Sequence, residues 1–411
     1  MIINLITFSS LLHKQSSVRL SHESLLSELE KYFTVHIVNY QDINSLSEED
    51  FSILFIATGG VERLVLQHFE HLPRPTILLA DGMQNSLAAA MEISSWLRSR
   101  GMKNEILHGE LNSIIKRIFV LASNFKAQRD LSNNRIGVIG TPSNWLIASH
   151  VDYLLAKHRW GVNYIDIPLE RVYDYYDQIS EDEVGELAAF LAEKALACRE
   201  GSPEDMLKAT RLYVALKRIA KEEHLQALTL SCFRLINHTG TTGCLALALL
   251  NDEGILAGCE GDLQSIFTLL AAQAVTHKTG FMANPSMIQT NNRELILAHC
   301  TIGLKQTEQY ILRSHFETDS GIAIQGILPT GEITLLKCGG ECLDEYYLST
   351  GTLIENTNNL NMCRTQVRIR LNSPTNYFLQ NPLGNHHILL QGNYETQLQE
   401  FMQANGCLRI E

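Results

Sequence analysis

The sequence predicts an α/β protein, with two parallel-sheet α/β domains followed by a mostly antiparallel, barrel-like β domain. Three observations carry this. From residue 1 to about residue 300, short apolar runs alternate with helical patterns, the mark of strand–helix–strand units. Several of those runs end in polar or glycine-containing turns that lead straight into a helix. After about Leu304 the spacing shortens, and apolar runs follow one another with only turns between them.

Residues 1–127 form the first expected domain. Strands are expected over Ile2–Phe8, Val35–Val38, Ser52–Ala57 and Thr76–Ala80, with helices over Glu23–Phe33, from about Val61, and over Ser86–Arg100. Thr58-Gly59-Gly60 could offer backbone N–H groups to a ligand oxygen, or simply make a tight turn. It lacks a full GxGxxG. Asp81, at a strand end, could bond a ligand hydroxyl or cap the turn that follows. The polar stretch Ala127–Asn134 reads as a linker.

Residues 128–290 restart the pattern. Arg135–Ile139 is a strand ending in Gly140-Thr141-Pro142-Ser143-Asn144-Trp145, and Tyr164–Ile167 is another. Glu181–Cys198 and Pro203–Glu222 read as amphipathic helices. Ala227–Ser231 is a strand ending in Cys232-Phe233-Arg234. Arg234 could hold a hydroxyl or an anion bidentately, or pair with an acid such as Glu260. Gly254–Ala257 is a strand, followed by the acidic turn Cys259-Glu260-Gly261-Asp262 and an apolar helix over about Leu263–Val275. Thr279–Ala283 ends in Asn284, and Leu295–Ala298 ends in His299. Ligands of open α/β sheets bind at the carboxyl ends of strands, so Glu260, Asp262, Asn284 and His299 are expected on one rim. If the turn is extended, Glu260 and Asp262 point the same way. Residues 291–411 complete the chain as the β-rich domain. There Arg368 and Arg370 share one strand face and Val367 and Ile369 the other.

At 411 residues, two or three domains are expected. The net charge of −12 and the lack of a long basic run argue against nucleic-acid and anionic-membrane partners. The apolar runs break well short of the ~20 residues of a membrane span. MIINLITFSS reads as a first strand rather than a signal peptide. Nine scattered cysteines with no CxxC point to free thiols in a reducing cytoplasm.

The motifs Cys259-Glu260-Gly261-Asp262, Met282-Ala283-Asn284-Pro285-Ser286, Ala298-His299-Cys300-Thr301-Ile302 and Pro382-Leu383-Gly384-Asn385-His386-His387 together resemble the L-fucose isomerase/L-arabinose isomerase superfamily, in its fucose-isomerase-like branch. Gly140-x-Pro-Ser-x-Trp is similar to a turn of the same branch. The resemblance covers the second and third domains, and the first only in architecture. It implies a metal-dependent aldose–ketose isomerase, passing through an enediolate, with Glu260 as ligand and base. The implied metal shell is Glu260, Asn284 and His386, holding Mn²⁺ or else Mg²⁺. Asn284 stands where the family carries an acid, so the shell is less anionic than the isomerase's. Asp262, His299 or a metal-bound water would then supply the second acid/base. Substrate contacts fall to Arg234, Asn144, Trp145 (by stacking, or as packing) and Asp81. The family's trimers and hexamers imply a homo-oligomer in which the first domain closes a neighbour's site. Two other readings stand beside this: a sugar-binding protein without catalysis, and an epimerase or lyase on the same scaffold.

Overall fold

The computed structural model describes residues 1–10, 20–47 and 49–411. The chain divides into two compact units, Met1–Lys126 and Ala127–Glu411.

The first unit carries a five-stranded parallel sheet in the order Thr34–Asn39, Ile2–Phe8, Ser52–Ile56, Thr76–Leu79, Asn104–Leu107. Successive residues face opposite sides of a strand. Ile3, Leu5, Ile53 and Phe55 therefore feed one apolar cluster, while Ile6, Phe8, Leu54 and Ile56 feed another on the opposite face. Both faces are covered, as a parallel sheet requires.

The polar stretch 127–134 is not a linker throughout. A helix spans Leu111–Leu131, and Ala127 and Leu131 are buried in the core of the second unit. The polar residues between them belong to helix turns whose apolar positions are widely spaced, which made the stretch read as loop.

The second unit begins with a four-stranded parallel sheet, ordered Leu256–Cys259, Ala227–Leu230, Arg135–Ile139, Asn163–Ile167. Six further strands close into an antiparallel barrel. Around it run Gly331–Gly339, His387–Gln391, Phe281–Gln289, Glu294–His299, Thr365–Leu371 and Glu345–Asn356, which pairs back onto Gly331–Gly339. Leu408–Arg409 adds a short parallel strand to Glu345–Asn356, and Ala323–Ile327, Gln309–Arg313 and Ala197–Cys198 form a small separate sheet.

The helix Leu263–Thr276 joins sheet to barrel. It is apolar almost all round, which suits a helix buried on every side. It packs on the Leu256–Cys259 strand and on the barrel strands Gly331–Gly339 and His387–Gln391. One continuous apolar core therefore runs through both layers. No helix among the described residues is long and apolar enough to cross a membrane.

Candidate active site

The Leu256–Cys259 strand stops at a turn that only certain backbones can make. Glu260 has φ 64° and Gly261 φ 73°, both left-handed. For a non-glycine residue this conformation costs about 1–3 kcal/mol and is characteristic of functional positions. A Cβ on residue 261 would meet Pro142 Cα at 2.6 Å, so the turn needs glycine for close approach as well as for φ. Ser143 N–H donates to the Glu260 carbonyl at 2.9 Å and ties the Gly140–Trp145 loop to the same turn.

This left-handed turn separates the two acids that an extended turn would have aligned. Asp262 becomes the N-cap of the Leu263–Thr276 helix, accepting from Ser265 N–H at 2.8 Å. Its side chain is fully buried, 2.8 Å from His386 Nδ1 and 3.8 Å from Lys337 Nζ. Burial pushes its carboxyl up, but Lys337 and His386 outweigh burial and hold it below the usual carboxylate range. Asp262 thus meets the Glu260 cluster through the His386 imidazole.

An ionised Asp262 can only accept, so His386 Nδ1 carries the hydrogen and Nε2 is turned forward. That Nε2 is buried, makes no hydrogen bond, and lies 3.7 Å from Glu260 Oε1. Burial lowers the basicity of His386, yet Asp262 and Glu260 raise it above its ordinary value. Glu260 is pushed up by burial and pulled down by His386, by the Trp145 indole N–H at 2.6 Å and by His299, ending at about 2. His299 ends the Glu294–His299 strand, its ring 5.4 Å from that of His386. Burial and the neighbouring His386 lower it to about 3, so it is a neutral imidazole near pH 7. Its Nδ1 meets the Thr301 hydroxyl at 3.0 Å, which leaves Nε2 unclaimed.

Glu260, His299 and His386 each present a ligand atom within 4.8 Å of the others. Glu260 and His299 face a cavity of about 260 Å³. One carboxylate and two imidazoles, with an orphaned buried nitrogen among them, fit a divalent cation. Asn284 lines the same cavity and its Oδ1 accepts from Asn385 Nδ2 at 3.1 Å.

Of the remaining expected residues, Trp145 touches this cluster and Asp81 lies in the first unit. Trp145 meets Glu260 by hydrogen bond, with its ring edge-on to Phe233 at 5.5 Å. Asn144 is exposed on the same loop. Arg234 is not at a strand end. It is exposed on the helix Cys232–Thr239 and donates to Thr141 Oγ1 at 2.9 Å. In the first unit, Asp81 accepts from Met83 N–H at 3.0 Å and pairs with His22, so it caps its own turn.

Sequence reasoning missed two contributors. Lys337 is fully buried and donates to Ser265 Oγ at 2.9 Å. The signal was a lone lysine in the apolar strand Ile333–Cys338. His315 also lines the cavity, edge-on to Phe233, but no strand pattern around it marked it out.

No protein-family model matches the chain. Its sequence is 24% identical over 222 residues to the sulfoquinovose isomerase of Clostridium sp. (strain MSTE9), a match covering 53% of this chain and 49% of that protein. The chain therefore spans about half the length of the curated relative it matches.

Proposed function

We propose that the protein is a metal-dependent aldose–ketose isomerase acting on a monosaccharide in the Glu260 cavity. The observation that carries this reading is the convergence of Glu260, His299 and the unpartnered His386 Nε2 on one buried point. The likeness to a sulfoquinovose isomerase supports the reaction class. Glu260, His299 and His386 would hold the ion, with Asn284 beside them as a neutral oxygen donor. Bound there, a divalent cation supplies Lewis acidity toward the negative charge that develops on the two sugar oxygens.

The other tasks fall to side chains. Glu260, ionised at neutral pH, takes the proton from C2 and returns it to C1, which needs a carboxylate within about 3 Å of both carbons. Trp145 holds the second Glu260 oxygen and so sets the direction of the first. Asp262 and Lys337 keep His386 in one tautomer, a positioning role. His299, neutral and with Nε2 free, can ligate or relay a proton between the sugar oxygens. Manganese is the proposed ion, with magnesium next, since oxygen and imidazole donors suit both. Homo-oligomeric assembly, as a trimer or hexamer, belongs to the same proposal and is read by light scattering.

The test is incubation with Mn²⁺ in D₂O against neutral, deoxy, phosphorylated and sulfonated sugars, sulfoquinovose among them, followed by NMR. Deuterium entering C1 or C2, abolished by EDTA and by Glu260→Gln, is the expected result. Activity surviving Glu260→Gln would remove that residue as the base. Exchange at another carbon would make the protein an epimerase or lyase, and sugar binding without exchange a binding protein.

A further inference from the structure

The cavity has a second wall whose chemistry the isomerase reading does not use. Cys244 opens the helix Cys244–Asp252, Cys300 follows the Glu294–His299 strand, and His315 follows the Gln309–Arg313 strand. All three are buried, all three line the cavity, and their ligand atoms lie within 4.8 Å of one another. A tetrahedral ion bound at about 2.0–2.3 Å from nitrogen and sulfur needs its donors within about 4 Å, so small side-chain rotations suffice.

The surroundings hold the donors in place, although contact with Cys300 and burial push the Cys244 thiol up and, against the opposing contact with Cys244, Cys363 and burial push Cys300 up. The Arg364 backbone N–H donates to Cys300 Sγ at 3.3 Å, a contact that supports a thiolate. His315 Nδ1 meets the Thr318 hydroxyl at 3.3 Å, which orients the ring and leaves Nε2 for the cavity. Cys363 packs on the Cys244–Cys300 pair from the cavity side.

We propose that Cys244, Cys300 and His315 form a second metal site for a thiophilic divalent cation of the zinc class, with its fourth position open to the cavity. Two thiolates and a neutral imidazole select soft, tetrahedral ions, whereas Glu260, His299 and His386 offer harder donors. The two sites therefore sort metals by donor type although His299 and Cys300 are consecutive residues. Binding releases two protons, one from each thiol, and leaves a centre of zero net charge. The proposal is independent of the isomerase reading, because its readout requires no turnover.

The experiment is a Co²⁺ titration of the full chain, reduced and stripped of metal, followed by absorption. Cobalt at the Glu260 site has no sulfur ligand and adds no thiolate charge-transfer band. A near-ultraviolet thiolate-to-cobalt band that saturates within two equivalents, one for each site, and is bleached by Zn²⁺, is expected. It should disappear in Cys244→Ser and in Cys300→Ser, and persist in Glu260→Gln. No band in the wild-type protein overturns the proposal, whatever the variants' folding. A band that survives both serine variants, or that is lost instead in Cys259→Ser, overturns it as well.

Discussion

Asp262 shows how much one buried carboxylate can hold. It caps a helix, fixes the tautomer of His386 and neutralises Lys337, all at zero exposure. Removing one partner of a buried ion pair leaves the other charge uncompensated, at a cost of about 3–5 kcal/mol. Asp262→Asn should therefore lower the unfolding free energy by that order in a denaturant titration. Adding Lys337→Met should recover a large part of the loss, since the stranded cation is then gone. Equal losses in the single and double variants would show that the Lys337 charge was not the issue. Of these residues, Glu260 and His299 were legible as polar groups at strand ends. The positioning role of Asp262 was not, because a left-handed turn at Glu260 reversed the direction that an extended turn implies.

The strands Glu294–His299 and Thr365–Leu371 illustrate what periodicity can and cannot report. Alternation put Arg368 and Arg370 on one face. The structure adds their partner, Glu294, whose buried carboxylate meets Arg370 at 2.6 Å and Arg368 at 3.2 Å. The hydrogen bond from Arg370, followed by the Arg368 charge, holds the Glu294 carboxyl below its ordinary value despite the opposing effect of burial. A carboxylate lowered on folding stabilises the native state above its unfolded pKa, about 4.3, and loses that contribution as pH falls through the folded value. Melting temperature should accordingly drop between about pH 5 and pH 3, and Glu294→Gln should flatten that part of the curve. A variant with the wild-type slope would show that this cluster does not titrate on unfolding.

At the scale of the whole molecule, sheet and barrel of residues 127–411 share one core through the helix Leu263–Thr276. Phe267 is fully buried there, its ring tilted at 57° against that of Trp160 with centroids 5.0 Å apart. Phe267→Ala should cost about 3–5 kcal/mol. Amide exchange should then accelerate together in Arg135–Ile139 and Gly331–Gly339. Acceleration in only one of them would mean that the layers unfold separately. All nine cysteines are free thiols, so no covalent link holds these layers together.

By itself the sequence determined the fold class, the strand-to-helix turns, the alternation in the barrel strands and the strand-end position of His299, but not that of Asn284, which lies within the strand Phe281–Gln289. These are local properties, since burial imposes a period of two or of 3.6 on neighbouring residues. Only the tertiary structure decided how those residues meet and which others, such as Lys337 and His315, join them. His386 and Asp262 are 124 positions apart, and nothing in the spacing between them predicts a contact. The barrel strands bring His386 and Lys337 onto Asp262, whereas Cys300 meets Cys244 and His315 from a helix and a separate small sheet. Long-range convergence follows from how sheets pack on a shared helix, a property of the assembled core that no stretch of chain carries alone.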